Sequence, residues 1–164
     1  MNVTLRQART ALAILGAVVV ALLLNRLVVT DKKRVERTVQ EMADAAAKGD
    51  IDLLFSHISA DYRDETMSRT ELKSLATTFL GRFERVNPKI QRISVNVSGT
   101  LARVEVSISG SAESGGYRMP LGTSDWAVKF RKEADRVWRV TSIAPARMEG
   151  ADVSGWRDVR RGFE

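Results

Sequence analysis

Ile93–Ile108 reads ISVNVSGTLARVEVSI, and its period of two decides the fold class. Ile93, Val95 and Val97 alternate with polar residues. After the turn Ser98-Gly99-Thr100 the alternation resumes through Val104, Val106 and Ile108. Successive side chains of a strand point to opposite faces, so the pattern predicts an antiparallel hairpin with one buried face. A third strand is expected around Trp126, Val128 and Phe130, a turn at Lys132–Arg136, and a last strand over Val137–Ile143 around Trp138 and Val140. Between them, GSAESGG at Gly110–Gly116 reads as a flexible loop.

Before Pro88 the period is 3.6 instead. Val35, Val39, Met42, Ala43 and Ala46 define a helix capped at Thr30 or Asp31, running to about Lys48 and ended by Gly49. Asp50 caps a shorter helix carrying Ile51, Leu53, Leu54, Phe55 and Ile58. Ser68-x-x-Glu71 is a capping box, opening a third helix with Leu72, Leu75, Phe79, Leu80 and Phe83 on its apolar face. Asn87-Pro88 is expected to stop it. Helices first and a strand meander afterwards imply an α+β domain, with three helices packed on one face of an antiparallel sheet.

The chain has 164 residues, a length that favours one domain. It has no cysteine, which excludes disulfides, thiolate metal sites and cysteine nucleophiles. A single histidine, His57, excludes a multi-histidine metal centre. Nothing in the sequence implies a cofactor. The net charge is +6, with three arginines and no acid in residues 1–29, and 20 basic against 16 acidic groups in residues 30–147. Interspersed charge of this kind does not make a nucleic-acid interface, which concentrates cations on one face beside stacking aromatics. The partial cluster Lys129, Arg131, Lys132, Arg136 and Arg139 reads as a solvated strand face.

Ala11–Leu24 (ALAILGAVVVALLL) is uncharged and almost wholly apolar. A spanning helix needs about 20 such residues, which positions 10–29 supply if Arg26 extends its guanidinium to the headgroups. A cleavable signal has a core of this length too, but no small-x-small cleavage site follows. The expectation is an uncleaved anchor after a basic tail at residues 1–9, making a single-pass membrane protein. Arg26, Lys32, Lys33, Arg34 and Arg37 outnumber Arg6 and Arg9, so the positive-inside count keeps the domain cytoplasmic. The short leading tail favours the other side, and an extracytoplasmic domain is the expectation adopted. Residues 30–147 form the folded domain and 148–164 a polar tail. In that tail Trp156, Val159 and Phe163 share helical spacing, either as an amphipathic contact or as a segment folded back or frayed.

Ala45–Arg63, AAAKGDIDLLFSHISADYR, resembles the nuclear-transport-factor-2-like superfamily, particularly its SnoaL-like and ketosteroid-isomerase-like branches. Trp126–Lys132 (WAVKFRK) followed by a turn and Val137-Trp138-Arg139-Val140 agrees with it, and the match covers about residues 31–146. The resemblance implies a cystatin-like cone, with helices wrapped against a strongly curved sheet around an apolar cavity. Such a fold serves isomerases, cyclases and inert binding modules alike.

Isomerases of the superfamily use a carboxylate inside the cone and buried tyrosine or acid donors. Asp44, Asp52, Glu105 and Asp125 all fall on outward positions here, so no catalytic dyad is visible. The pocket candidates are His57, Tyr62, Phe79, Phe83, Trp126 and Trp138, each of which also reads as plain core. His57 would need an acid beside it, with Asp61 the plausible partner, and Tyr62 is expected at the cone mouth with its hydroxyl outward. Asp61-Tyr62-Arg63-Asp64-Glu65 lacks calcium-loop spacing and reads as a solvated loop.

Three functions follow as expectations. The first is a membrane-anchored, non-catalytic cone that binds a small apolar ligand or a protein. The second is a self-associating scaffold subunit of a membrane assembly, as in bitopic inner-membrane components of type IV secretion. The third is an isomerase- or cyclase-like enzyme acting on an apolar molecule.

Overall fold

The computed structural model describes residues 30–64, 66–148, 151–152 and 156. Helix α1 (Asp31–Lys48) buries Val35, Thr38, Val39 and Ala45 along one stripe. Gly49, at φ +67°, ends it in the left-handed conformation that a side chain would strain. The Asp50 carboxylate then accepts from the Leu53 backbone N–H at 2.9 Å, starting α2 (Ile51–Ser56). A two-residue ribbon, β1 (Arg63–Asp64) with β2 (Met67–Ser68), leads into α3 (Arg69–Leu80). The capping box is complete: the Ser68 hydroxyl accepts from the Glu71 N–H at 3.3 Å, and the Glu71 carboxylate accepts from the Ser68 N–H at 2.7 Å.

Four long strands and one short one complete the fold: β3 (Arg85–Ser98), β4 (Leu101–Ser114), β5 (Tyr117–Lys132), β6 (Trp138–Met148) and β7 (Ala151–Asp152). They pair antiparallel in sequence order. Register shifts at Ile90/Arg92, Ile108/Gly110 and Asp125/Trp126 lie beside one another across β3, β4 and β5, so the sheet bends along one line. At the bend Gly110 faces Pro88, and a Cβ there would stand 2.5 Å from the Asn87 carbonyl oxygen. Only glycine lets the two backbones approach this closely.

Three expectations are corrected. Gly110–Gly116 is no loop: β4 runs through Ser114, and Gly115-Gly116 (φ +58° and +78°) forms the tight hairpin turn. Paired glycines satisfy the two positive φ angles that such a turn needs, and the small polar residues before them pair in the ladder. The third helix stops at Leu80, and the chain is a strand again from Arg85, leaving Phe83 outside the helix. Pro88 sits inside β3 because β3 is the edge strand, where a missing N–H is tolerated. The last strand continues beyond Ile143 to Met148.

The core lies between the helices and one sheet face. Val35 and Val39 of α1, Phe55 and Ile58, Met67 and Leu72 meet Val104, Val106, Val128, Phe130, Trp138 and Val140. Phe130 is the largest fully enclosed side chain. Segment 10–29, expected as an anchor, lies outside the described residues; among the described residues no helix is long and apolar enough to cross a membrane.

Candidate functional site

The six sequence candidates separate into four places. Trp138 is buried at the start of β6, where its indole N–H donates to the Asp31 carboxylate at 3.2 Å. It fastens α1 to the sheet. Phe79 and Phe83 stack edge to face, with centroids 5.2 Å apart, at the end of α3. His57 follows α2, and its Nε2, buried without a hydrogen bond, lies 3.9 Å from a Glu41 carboxylate oxygen. Asp61, its expected partner, instead binds Arg131 at 2.7 Å. The backbone explains why: the Ser59 N–H donates to the Val140 carbonyl, so the chain after His57 is drawn toward the β5–β6 end.

Tyr62 and Trp126 meet at the fourth place, through Trp156. The Trp156 ring lies 5.5 Å from that of Trp126, and its indole N–H donates to the Ile143 carbonyl at 2.6 Å. Trp126 in turn donates to the Ser124 hydroxyl at 2.8 Å. Tyr62 is only 4% exposed, and its hydroxyl is buried with no hydrogen-bond partner among the described residues, which reverses the expectation of an outward hydroxyl. The ring is held inward because Ser59, whose N–H and hydroxyl are both engaged, also accepts the Tyr62 N–H on its carbonyl at 3.1 Å. Burial pushes the Tyr62 hydroxyl up to about 12, with the negative charge of Asp64 acting in the same sense. The backbone N–H of Ile143 and the Trp156 indole N–H act the other way, by favouring the phenolate, although neither meets the hydroxyl in full bonding geometry. At neutral pH Tyr62 is therefore a neutral hydroxyl beside the Trp156 indole, able to donate one hydrogen bond. An unmade bond at a buried hydroxyl costs about 1–3 kcal/mol.

The open face of the sheet carries a second arrangement. Arg92, Ser107, Asp125 and Arg147 stand opposite one another on β3, β4, β5 and β6. With Gln91 and Thr123 they line an open depression of about 400 Å³ along the bend. Arg92 donates to the Ser107 hydroxyl at 3.4 Å, and that hydroxyl donates to Asp125 in a short bond. Asp125 and Glu105 do face outward, as the alternation implies.

Of the readings open for the tail, buried Trp156 fits the segment folded back on the domain, while Val159 and Phe163 lie outside the described residues; the row across the bend was missed. β7 turns the chain back along β6 and so brings Trp156 to the core. The row could have been found by aligning the polar positions of adjacent strands, but three bulges shift that alignment.

No family model matches the sequence, and no curated protein does. Solved structures match well. A superfamily protein from Salmonella enterica Typhimurium, described as nuclear transport factor 2-like, superposes with a TM-score of 0.62 at 14% identity, over 76% of this chain and 93% of that one. A protein of cystatin-like fold from Novosphingobium aromaticivorans gives 0.58 at 14% identity, over 98% and 97%. A Streptomyces avermitilis protein, provisionally named a dehydratase, gives 0.59 at 18% identity, over 69% and 92%. The fold is the nuclear transport factor 2-like cone. At these identities the likeness reaches no further than the fold.

Proposed function

We propose that this protein is a membrane-anchored binding module whose cone takes an apolar ligand bearing one hydrogen-bond acceptor. The observation that carries the reading is the Tyr62 hydroxyl: enclosed, neutral, without a hydrogen bond among the described residues, and beside Trp156 and Ile143. Such a site favours a ligand that buries carbon surface and brings a carbonyl or ether oxygen. The anchor is residues 10–29, whose apolar composition supports it.

The test is native mass spectrometry of the full chain, extracted in detergent. A retained small molecule that is lost in Tyr62→Phe supports the reading, provided the variant keeps its circular dichroism. A molecule-free protein across repeated preparations overturns it. Placement outside the cytoplasm, the side adopted for the domain, is read by reporter fusions after Glu164. Activity of a cytoplasm-only reporter overturns that placement.

An enzymatic reading has one foothold, the charge of Asp64 acting on Tyr62. Asp64→Asn distinguishes it: a binding module keeps its ligand in that variant, whereas an enzyme accumulates unconverted substrate.

A further inference from the structure

Three chain segments converge at one end of the sheet. Asp31, the first residue of α1, accepts from Lys132 Nζ at 3.0 Å and from the Trp138 indole at 3.2 Å. The Lys132 N–H donates to the Thr100 carbonyl at 2.8 Å, which brings the β3–β4 turn alongside. The start of α1, the β3–β4 turn and the β5–β6 turn therefore form a single surface.

Two aliphatic side chains project from it, Leu101 at 59% and Val137 at 44% exposure. Around them residues 31–37 and 131–139 carry eight basic and four acidic side chains. Glu133 and Asp135 are occupied by Arg139 at 2.6 and 2.7 Å, and Asp31 by Lys132. Lys32 and Arg34 meet carboxylates only at 4.0 and 3.8 Å, and both are exposed. Arg136 forms no ion pair among the described residues. It also sits at the turn with φ +63°, a conformation that costs a side-chain residue and suits glycine.

We infer that this end is a docking surface for an anionic lipid bilayer. Leu101 and Val137 enter the headgroup layer, and Lys32, Arg34 and Arg136 lie against lipid phosphates. The inference rests on the proposed anchor for its geometry: Thr30 alone separates position 29 from Asp31, a reach of under about 8 Å. In sequence the proposed anchor therefore ends one residue before α1 begins. The β4–β5 hairpin tip, with exposed Tyr117, lies at the other end of a bent 14-residue strand, at most about 45 Å away.

The absence of native cysteine allows single-site labels. The full chain carrying Leu101→Cys, Val137→Cys or Tyr117→Cys is labelled with an environment-sensitive fluorophore and placed in vesicles of phosphatidylcholine alone or with one-third phosphatidylglycerol. A lipid-borne headgroup quencher is included. The expected result is several-fold stronger quenching at 101 and 137 than at 117, greater with phosphatidylglycerol and reduced by salt or by Lys32→Gln with Arg136→Gly. Equal quenching at all three sites, or none at 101 and 137, overturns the surface. Alkaline carbonate extraction reads the anchor separately. Protein that is released by carbonate yet still quenched at 101 and 137 retires the anchor and keeps the surface. Protein that resists carbonate and shows no quenching keeps the anchor and retires the surface.

Discussion

The two faces of the sheet are built from the same strands and differ in nearly everything else. Val104, Val106, Val128 and Phe130 turn toward the helices and are almost fully enclosed. Their neighbours Arg103, Glu105 and Lys129 are exposed. Where the sheet bends, the open face gains a polar row of its own, Arg92–Ser107–Asp125–Arg147, with Ser107 buried beneath it. The contrast separates two kinds of information. Alternation assigns a residue to a face, whereas bulges decide which residues on that face become neighbours.

The largest expected effect tests the inner face. Phe130→Ala removes a fully enclosed ring and should cost about 3–5 kcal/mol, against under about 0.5 kcal/mol for Glu105→Ala on the open face. Urea unfolding of both variants checks this, and similar midpoints would break the contrast.

Next in size is the bend that joins the two faces. Gly110→Ala places a Cβ 2.5 Å from the Asn87 carbonyl, a backbone atom of the paired strand that cannot swing aside. Overpacking of this kind costs about 1–3 kcal/mol. Hydrogen exchange should show the loss of protection concentrated where β3 pairs β4 around Pro88, and unchanged protection there would show that the bend is soft.

Much of the inner face was legible because it obeys local rules. The Ser68–Glu71 box, the Asp50 cap, Gly49 and the alternation of Ile93–Ile108 each depend on residues a few positions apart. The candidate site depends on long-range closure. Tyr62 turns inward because Ser59 is tied to Val140 and Glu133, and Trp156 reaches the core because β7 folds back on β6. No period in the sequence encodes either contact. His57 shows the same limit: its neighbour proved to be Glu41 on another helix, not the nearby Asp61.

Tyr62→Phe sharpens the contrast at a buried hydroxyl of the inner face that makes no hydrogen bond among the described residues. In ligand-free protein it should be neutral or stabilising by about 1 kcal/mol, since it removes an unsatisfied hydroxyl. Ionisation adds a pH test. Because folding raises the hydroxyl to about 12 from 10.0, the folded state holds the proton more tightly than the unfolded state. The associated stability is complete below pH 10 and is lost as pH rises toward 12. Tyr62→Phe should abolish that alkaline decline, and a decline of equal size in the variant would assign it elsewhere.

The smallest effect lies at the half-buried seam where both faces end. Lys132 and Trp138 bond the Asp31 carboxylate and hold it below its usual value of 3.8. A depressed carboxylate stabilises the fold above about pH 4, and that stability is lost as pH falls through the folded value. Asp31→Asn should therefore lower stability at pH 7 by under about 1 kcal/mol, a difference that shrinks as the pH falls below about 4. Salt should shrink the difference, because the pair is near the surface. The seam also fixes α1 to the two turns of the proposed lipid-facing end, so the same variant has a second readout. If Asp31 serves only stability, labels at 101 and 137 keep their quenching in phosphatidylglycerol vesicles. If it sets the register of that surface, quenching at 137 falls more than the small change in stability accounts for.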